Sequence, residues 1–440
     1  MPTAELSGLY ALIIIGALLG LLALGVWIGL ALTGTALLAM LLFSTRLPGD
    51  AMATTVFGSV TAWTLTALPL FIWMGEVLFR SRISEYMFRG LAPWMSPLPG
   101  RLLQVNVAAS MVFAAISGSS AATCATVGKI TIPELQKRGY PENMMVGSLA
   151  GAGTLGLLIP PSIIMIVYAV SADVSINKLF AAGVMPGLVL GGLFMLYNGI
   201  WALLHPSQIP SDDLRMSLVG KLRASLALLP VLLLIAAVLG SIYAGIATAT
   251  ESATIGVVGA FILAAFQGGV SWAFFRRTVI GAMRTTTMIM LIIAGASFLG
   301  LAMGFSGVPR MLAEWVGKLG LGQGELLIAL TVLYIILGCL LDGISMVLLT
   351  MAVVLPMTNA VGIDPLWLGI FIVIVVEMGQ ITPPVGFNLF VLQNALKRDI
   401  GFVSRAALPY FFIMLLMLVI IWYWPGLATW LPGRMGNAGG

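Results

Sequence analysis

Ten apolar runs, near residues 6–24, 27–44, 57–79, 143–171, 178–205, 224–240, 241–266, 283–305, 365–393 and 402–424, set the tightest limit on what this chain can fold into. A hydrocarbon core of about 30 Å takes roughly 20 helical residues, so the runs fit membrane spans. The chain reads as an all-α polytopic membrane protein in a lipid bilayer. Composition agrees, because 60% of its 440 residues are hydrophobic and 8% charged, with a mean hydropathy of +1.09. A soluble domain carries about a quarter charged residues. A single histidine, His205, leaves no room for a Ser-His-Asp triad or an HExxH zinc site. Catalysis is not expected. Cys124 and Cys339 have no CxxC spacing, so they read as small core residues.

Two further apolar segments, 102–136 and 326–360, are too long for one crossing and are interrupted midway by SGSS (Ser117–Ser120) and LDGIS (Leu341–Ser345). Halves of about 14 to 16 residues are too short to cross. Both read as re-entrant helical hairpins with tips near the midplane, tolerated where exposed backbone lines protein or a wet cavity. Two glycine-kinked ordinary spans are the alternative. With this layout sixteen basic residues, Arg80, Arg82, Lys129, Arg215 and Arg277 among them, collect on one face and five on the other. The bias places both termini on the outer face and accounts for the net charge of +5 without nucleic acid. Residues 1–6 carry Glu5 and no basic group, so no cleaved signal peptide is expected.

A shift of 223 residues superposes Pro133 on Pro356, Pro160 and Pro161 on Pro383 and Pro384, and Pro186 on Pro409. Gly139 meets Gly362 and Gly156 meets Gly379, and the tips correspond with a slip of two residues. Five crossings separate the copies, so they face opposite ways. Inverted repeats with helices broken at matching places mark secondary transporters. The polar stretch Pro206–Arg223, with Asp212 and Asp213, is the boundary. The expected division is 1–101 (scaffold helices and a first arm), 102–171 (first hairpin and broken helix), 172–325 (scaffold helices, linker and second arm), 326–393 (second hairpin and broken helix) and 394–440 (last scaffold helix and tail).

In TLGLLIPPSI (Thr154–Ile163) and MGQITPPVGFN (Met378–Asn388), tandem prolines remove two amide donors and leave upstream carbonyls without helical partners. Such oxygens, at the negative end of a half-helix, suit a small cation. The SGSS tip adds three hydroxyls and free amides that suit a carboxylate. For any one of these small residues close helix packing is the better explanation; two tips facing two breaks shift the balance to a site. Among intramembrane acids, Asp342 and Glu377 are the candidates, while Glu76 and Glu251 lie near span ends. Lys129 either snorkels to the basic face or pairs with Asp342 or Glu377. Segments 80–96 and 308–321, with Trp94 and Trp315, read as amphipathic arms preceding each hairpin.

The runs SGSSAATCATVGKITIPELQKRGY (Ser117–Tyr140), GTLGLLIPPSIIMIVYAV (Gly153–Val170), ATESATIG (Ala249–Gly256) and EMGQITPPVGFNLFVL (Glu377–Leu392) resemble the large membrane subunit of tripartite ATP-independent periplasmic (TRAP) transporters over essentially the whole chain. The resemblance implies a bacterial inner-membrane Na⁺ symporter of elevator type. It would take a small organic anion or zwitterion from a periplasmic substrate-binding protein and work with a small four-helix membrane subunit. That subunit is expected as a separate chain, since no four-helix block precedes Leu6. Carried over by position, the cation sites fall at Ser117, Gly118, Gly156, Ile159 and Pro160, and at Asp342, Gly343, Gly379, Thr382 and Pro383. Substrate would lie between the tips, at Ser119, Ser120, Thr123, Pro161, Ser345 and Asn388. Lys129 departs from the pattern, where a small or apolar residue is expected. A stand-alone divalent-anion/sodium symporter would share the hairpins without needing a binding protein. A membrane enzyme would need a nucleophile-base pair that the sequence does not offer.

Overall fold

Apolar side chains all around a helix suit an element surrounded by lipid and by other helices, and this pattern dominates the chain. The structure, a computed structural model, describes residues 4–81, 83–210, 216–318, 320–339, 341–384 and 386–435. Arg82, Arg215, Asp212 and Asp213 lie outside the described residues. Every regular element among the described residues is helical.

The first copy runs through Ala4–Ala23, Ile28–Phe43, Pro48–Val60, Ala67–Arg80, the arm Ile83–Met95, hairpin limbs Leu102–Ser117 and Ser120–Lys137, the broken helix Glu142–Leu158 and Ile163–Ala172, and Ile176–Leu204. The second repeats the order with Leu229–Tyr243, Ala249–Phe266, Trp272–Ser306, the arm Val308–Lys318, limbs Gln323–Gly338 and Gly343–Ala360, the broken helix Pro365–Gln380 and Phe387–Leu396, and Ile400–Tyr423. Backbone detail follows the repeat. Gly139 and Gly362 both close a hairpin at φ +76°, which glycine adopts without the Cβ penalty. Asp173 and Lys397 both end the second half of a broken helix in the left-handed region, at φ 53° and 52°.

Several boundaries differ from expectation. The run 241–266 is divided, because the preceding helix ends at Tyr243 and a Thr248–Glu251 capping box starts the next at Ala249. The helix containing 283–305 begins at Trp272, where the Ser271 side chain accepts from the Phe274 amide. Its first turns are basic and threonine-rich, which lowers hydropathy without stopping a helix. The outgoing hairpin limbs are 18 residues each, longer than the expected 14 to 16, because Pro133 and Pro356 are carried inside the helix. Gly343–Ala360 is accordingly one of five helices long and apolar enough to cross alone; three bent pairs raise the total to eight among the described residues. A short helix, Gly426–Arg434, occupies part of the expected tail.

Packing separates two groups. Trp272–Ser306 lies along Ile28–Phe43, Pro48–Val60 and Ala67–Arg80, and Ala249–Phe266 packs on Ala67–Arg80 and Leu229–Tyr243. These helices form a frame. The hairpins and broken helices form the other group, and they exchange partners: Ile163–Ala172 packs on Gly343–Ala360, and Phe387–Leu396 packs on Ser120–Lys137. Ile400–Tyr423 presses on the first broken helix so closely that a Cβ on Gly147 would fall 2.3 Å from the Ala406 carbonyl oxygen. Ile176–Leu204 does the same, with Gly183 against the Leu158 carbonyl at 2.7 Å. A helix precedes each hairpin, Ile83–Met95 the first and Val308–Lys318 the second. Trp94 donates from its ring nitrogen to Ser225 at 2.6 Å, while Trp315 is exposed.

Candidate functional site

The first tip is a turn that only a small residue can make. Gly118 ends Leu102–Ser117 in the left-handed conformation, φ +59°, and a Cβ there would fall 2.8 Å from the Pro161 carbonyl oxygen. Its own carbonyl accepts from the Ile163 amide at 3.2 Å. Ser119 then caps the outgoing limb by accepting from the Ala122 amide. Gly156 completes the contact from the broken helix, with the Ser119 carbonyl oxygen 2.6 Å and Thr123 Oγ1 2.7 Å from where a Cβ would stand. Thr123 donates to the Ser119 carbonyl at 2.8 Å and lies 2.8 Å from Ser117 Oγ. Across the break, Pro160 and Pro161 offer no amide to the carbonyls of Gly156 and Leu157. Ile159 packs its side chain against Gly187. Thus Ser117, Gly118, Ser119, Thr123, Gly156 and Pro161 converge, while Ile159 and Pro160 lie in the break beside them, with Ile159 turned to Gly187.

The second tip is built differently. Asp342 caps Gly343–Ala360, accepting from the amides of Ile344 and Ser345 at 3.1 and 3.2 Å and from the Ser345 hydroxyl. Gly343 faces Val376 and Ile164, one from each broken helix, so this tip touches both. Gly338 and Gly379 meet backbone to backbone, with Gly379 Cα 2.5 Å from a Cβ on Gly338. Thr382 donates to the Met378 carbonyl at 2.7 Å, and the Pro383 carbonyl accepts from Cys339 Sγ at 3.1 Å. One carbonyl expected to be free is taken, since Gly379 accepts from the Thr382 amide at 3.3 Å. Both Pro–Pro peptide bonds are cis.

One link joins the repeats. Ser120 donates to Glu377 Oε2 at 2.9 Å and accepts from Asn388 Nδ2 at 2.7 Å. All three side chains are buried, and Glu377 Oε1 and Asn388 Oδ1 have no hydrogen-bond partner among the described residues. The sequence marked Glu377 as an intramembrane acid but did not include it in the site; no local pattern connects it to a serine 257 positions away. Lys129 pairs with neither Asp342 nor Glu377 and lines a separate cavity with Arg80 and Arg277. Glu76 binds Arg80 at 2.8 Å and Glu251 serves its capping box, so both acids have structural roles. His205 stacks on Trp201.

Comparison with known proteins narrows what this arrangement is. Residues 15–427 match the family described as tripartite ATP-independent periplasmic transporter, DctM component. The chain is 35% identical over 386 residues to the C4-dicarboxylate TRAP transporter large permease protein DctM of Pseudomonas aeruginosa, covering 88% of this chain and 90% of that one. It is 32% identical over 443 residues to the protein of the same name from Rhodobacter capsulatus, covering 97% and 99%. Among solved structures, the Alcanivorax borkumensis YdaH transporter shares the fold at a TM-score of 0.62 over 94% of this chain and 98% of that one, with 14% identity. The chain belongs to the DctM family of TRAP transporter large permeases and is a multi-pass membrane transport protein, not an enzyme.

Proposed function

We propose that this permease couples Na⁺ entry to uptake of a small organic acid across the bacterial inner membrane, with both termini periplasmic. The observation that carries the reading is that each hairpin tip lies on its own proline break, at distances that admit no side chain at Gly118, Gly156 or Gly379. Backbone and hydroxyl oxygens concentrated there are hard ligands for a small cation. Na⁺ is placed at Ser117, Gly118, Gly156, Ile159 and Pro160, and at Asp342, Gly343, Gly379, Thr382 and Pro383. The solute lies between, at Ser119, Ser120, Thr123, Pro161, Ser345 and Asn388. The relatives named for C4-dicarboxylates support an organic anion. A periplasmic binding protein delivers it. The small membrane subunit docks on the frame; the isethionate permease DctMQ of Oleidesulfovibrio alaskensis, of which this chain covers 66%, has room for such a second component.

Alternating access follows if the two hairpins are re-entrant and move with the broken helices against the frame, as an elevator. In this reading the moving unit takes in Ile176–Leu204 and Ile400–Tyr423 as well as 102–171 and 326–393, a choice supported by the close approach of both helices to the first broken helix. The test is uptake into proteoliposomes containing the small subunit, with binding protein outside. An inward Na⁺ gradient should drive it. Full-rate uptake driven by a pH gradient alone, without sodium on either side, would refute the coupling; full uptake without binding protein would favour a stand-alone symporter.

A further inference from the structure

Away from the tips, one cavity gathers charge at the gap between hairpin and frame. It measures about 560 Å³, within the range of small-molecule sites. Thr126 and Lys129 enter it from the outgoing limb of the first hairpin, and Arg80, Ser271 and Arg277 from the frame. Thr126 and Lys129 stand three residues apart and so share one helix face. Arg80 is held by Glu76 at 2.8 Å. Lys129 and Arg277 have no ion pair or hydrogen bond among the described residues, and Glu85 is the one acid in the lining. The Thr126 hydroxyl is buried and has no partner either. Like charges gathered in a walled cleft repel one another and raise the local concentration of counter-ions. A cavity holding two unpaired cations is built for an anion.

We propose that this cavity is a second anion site, on the basic side of the first hairpin, which receives a small dicarboxylate leaving the tips. Lys129 binds from the moving side and Arg277 from the fixed side, so a bound dianion bridges the gap and holds the hairpin against the frame. The inference rests on the reading of the chain as an organic-anion carrier. The phosphate headgroup of an anionic lipid offers similar chemistry. The hydroxyls and Glu85 in the lining favour a water-borne solute, because acyl chains following a headgroup need an apolar groove.

Succinate binding to the full chain is measured by calorimetry in phosphatidylcholine nanodiscs, in potassium buffer without sodium, where a Na⁺-dependent tip site does not contribute. Wild type should bind succinate. Lys129→Gln and Arg277→Gln should each weaken binding by about tenfold, the loss of one charge-assisted hydrogen bond, and Lys129→Arg should retain it. No sodium-free binding, or wild-type affinity in both glutamine variants, overturns the proposal. So does phosphatidylglycerol that stays bound to wild type in native mass spectrometry, is lost from Lys129→Gln and is not displaced by succinate, since the occupant is then a lipid. Sodium-driven uptake by the same protein, reconstituted with the small subunit into proteoliposomes with binding protein outside, keeps the two readings apart: uptake with no sodium-free binding sinks the cavity site alone, whereas sodium-free binding without any coupled uptake sinks the carrier reading.

Discussion

The two hairpin tips occupy matching places in the repeat yet solve the same turn by different means. The first is uncharged, turns through a left-handed glycine, and is stitched to both repeats through Gly118, Ser120, Glu377 and Asn388. The second carries the charge of Asp342, which is spent on its own helix start. Pro160 and Pro161 are buried, whereas Pro383 and Pro384 are exposed. Four residues separate the halves of the first broken helix and six those of the second. A repeat thus preserves where a helix breaks, while the side chains added later decide how tightly the break is closed. The first tip is joined across the repeats by side-chain hydrogen bonds, whereas the Asp342 hydrogen bonds of the second are local and its approach to the broken helices is by close packing.

The largest expected effect is complete arrest. In a background without Cys124 and Cys339, a disulfide from Ala67–Arg80 to Leu102–Ser117, or from Trp272–Ser306 to Gly343–Ala360, ties one hairpin to the frame helix it packs on. Each should stop uptake reversibly. A disulfide between Glu142–Leu158 and Ile400–Tyr423, which pack closely and belong to one unit in the proposed motion, should not. Full uptake with either hairpin tied to the frame would show that the moving unit has been drawn wrongly, and arrest by one tie alone would break the symmetry of the two tips.

Glycine substitutions come next. Gly118→Ala places a side chain in left-handed backbone, at about 1–2 kcal/mol, and also meets a backbone oxygen that cannot move aside. Gly343→Ala meets the ends of Val376 and Ile164 side chains, which can shift. Uptake should vanish in the first and fall only in part in the second, with melting temperature following the same order; the bulkier Gly343→Val should abolish uptake. Equal loss in both alanine variants would remove the distinction between a tertiary and a local tip.

Much of this was legible because proline acts through covalent geometry. Pro160, Pro161, Pro383 and Pro384 break their helices whatever surrounds them, so the repeat and both breaks could be located from the chain alone. Pro133 and Pro356 show the limit of that rule, being accommodated inside helices that run on to 18 residues. Asp173 and Lys397 form a matched pair of left-handed caps that sequence comparison cannot see, because the two residue types share nothing. The bond from Ser120 to Glu377 depends on how two distant hairpins are placed. For Lys129 the residue type was a signal, but its setting between Arg80 and Arg277 emerges only in three dimensions.

Serine deletions give a moderate effect and test the stitching directly. Ser120→Ala leaves two buried groups, Glu377 and Asn388, short of a partner, at about 1–3 kcal/mol. Ser345→Ala removes one donor from a cap that keeps two backbone amides, for about 1 kcal/mol or less. Thermal melting of the purified variants should rank them in that order, and uptake should be lost in Ser120→Ala. A larger destabilisation in Ser345→Ala would mean that the second tip, not the first, holds the repeats together.

The smallest effect is expected where the repeats meet on the basic face. Arg398, beyond the end of Phe387–Leu396, forms two hydrogen bonds to Glu142, the first residue of the first broken helix, at 2.8 and 2.7 Å. The pair is partly exposed, with side-chain accessibilities of 56% and 28%, so solvent screens most of its attraction. The Arg398 bond holds the Glu142 carboxyl below the usual carboxylate range. A lowered value in the folded state means that the contribution is present above the unfolded value and is lost as pH falls through the folded one. Arg398→Gln should therefore melt slightly below wild type at neutral pH, and the two curves should converge in acid. A gap that persists in acid would mean that Arg398 stabilises the fold through its stacking on Phe402, whose ring centre lies 5.8 Å away, and not through Glu142. Either result leaves the tips untouched, because this link clamps the outer ends of the elements whose inner ends form the site.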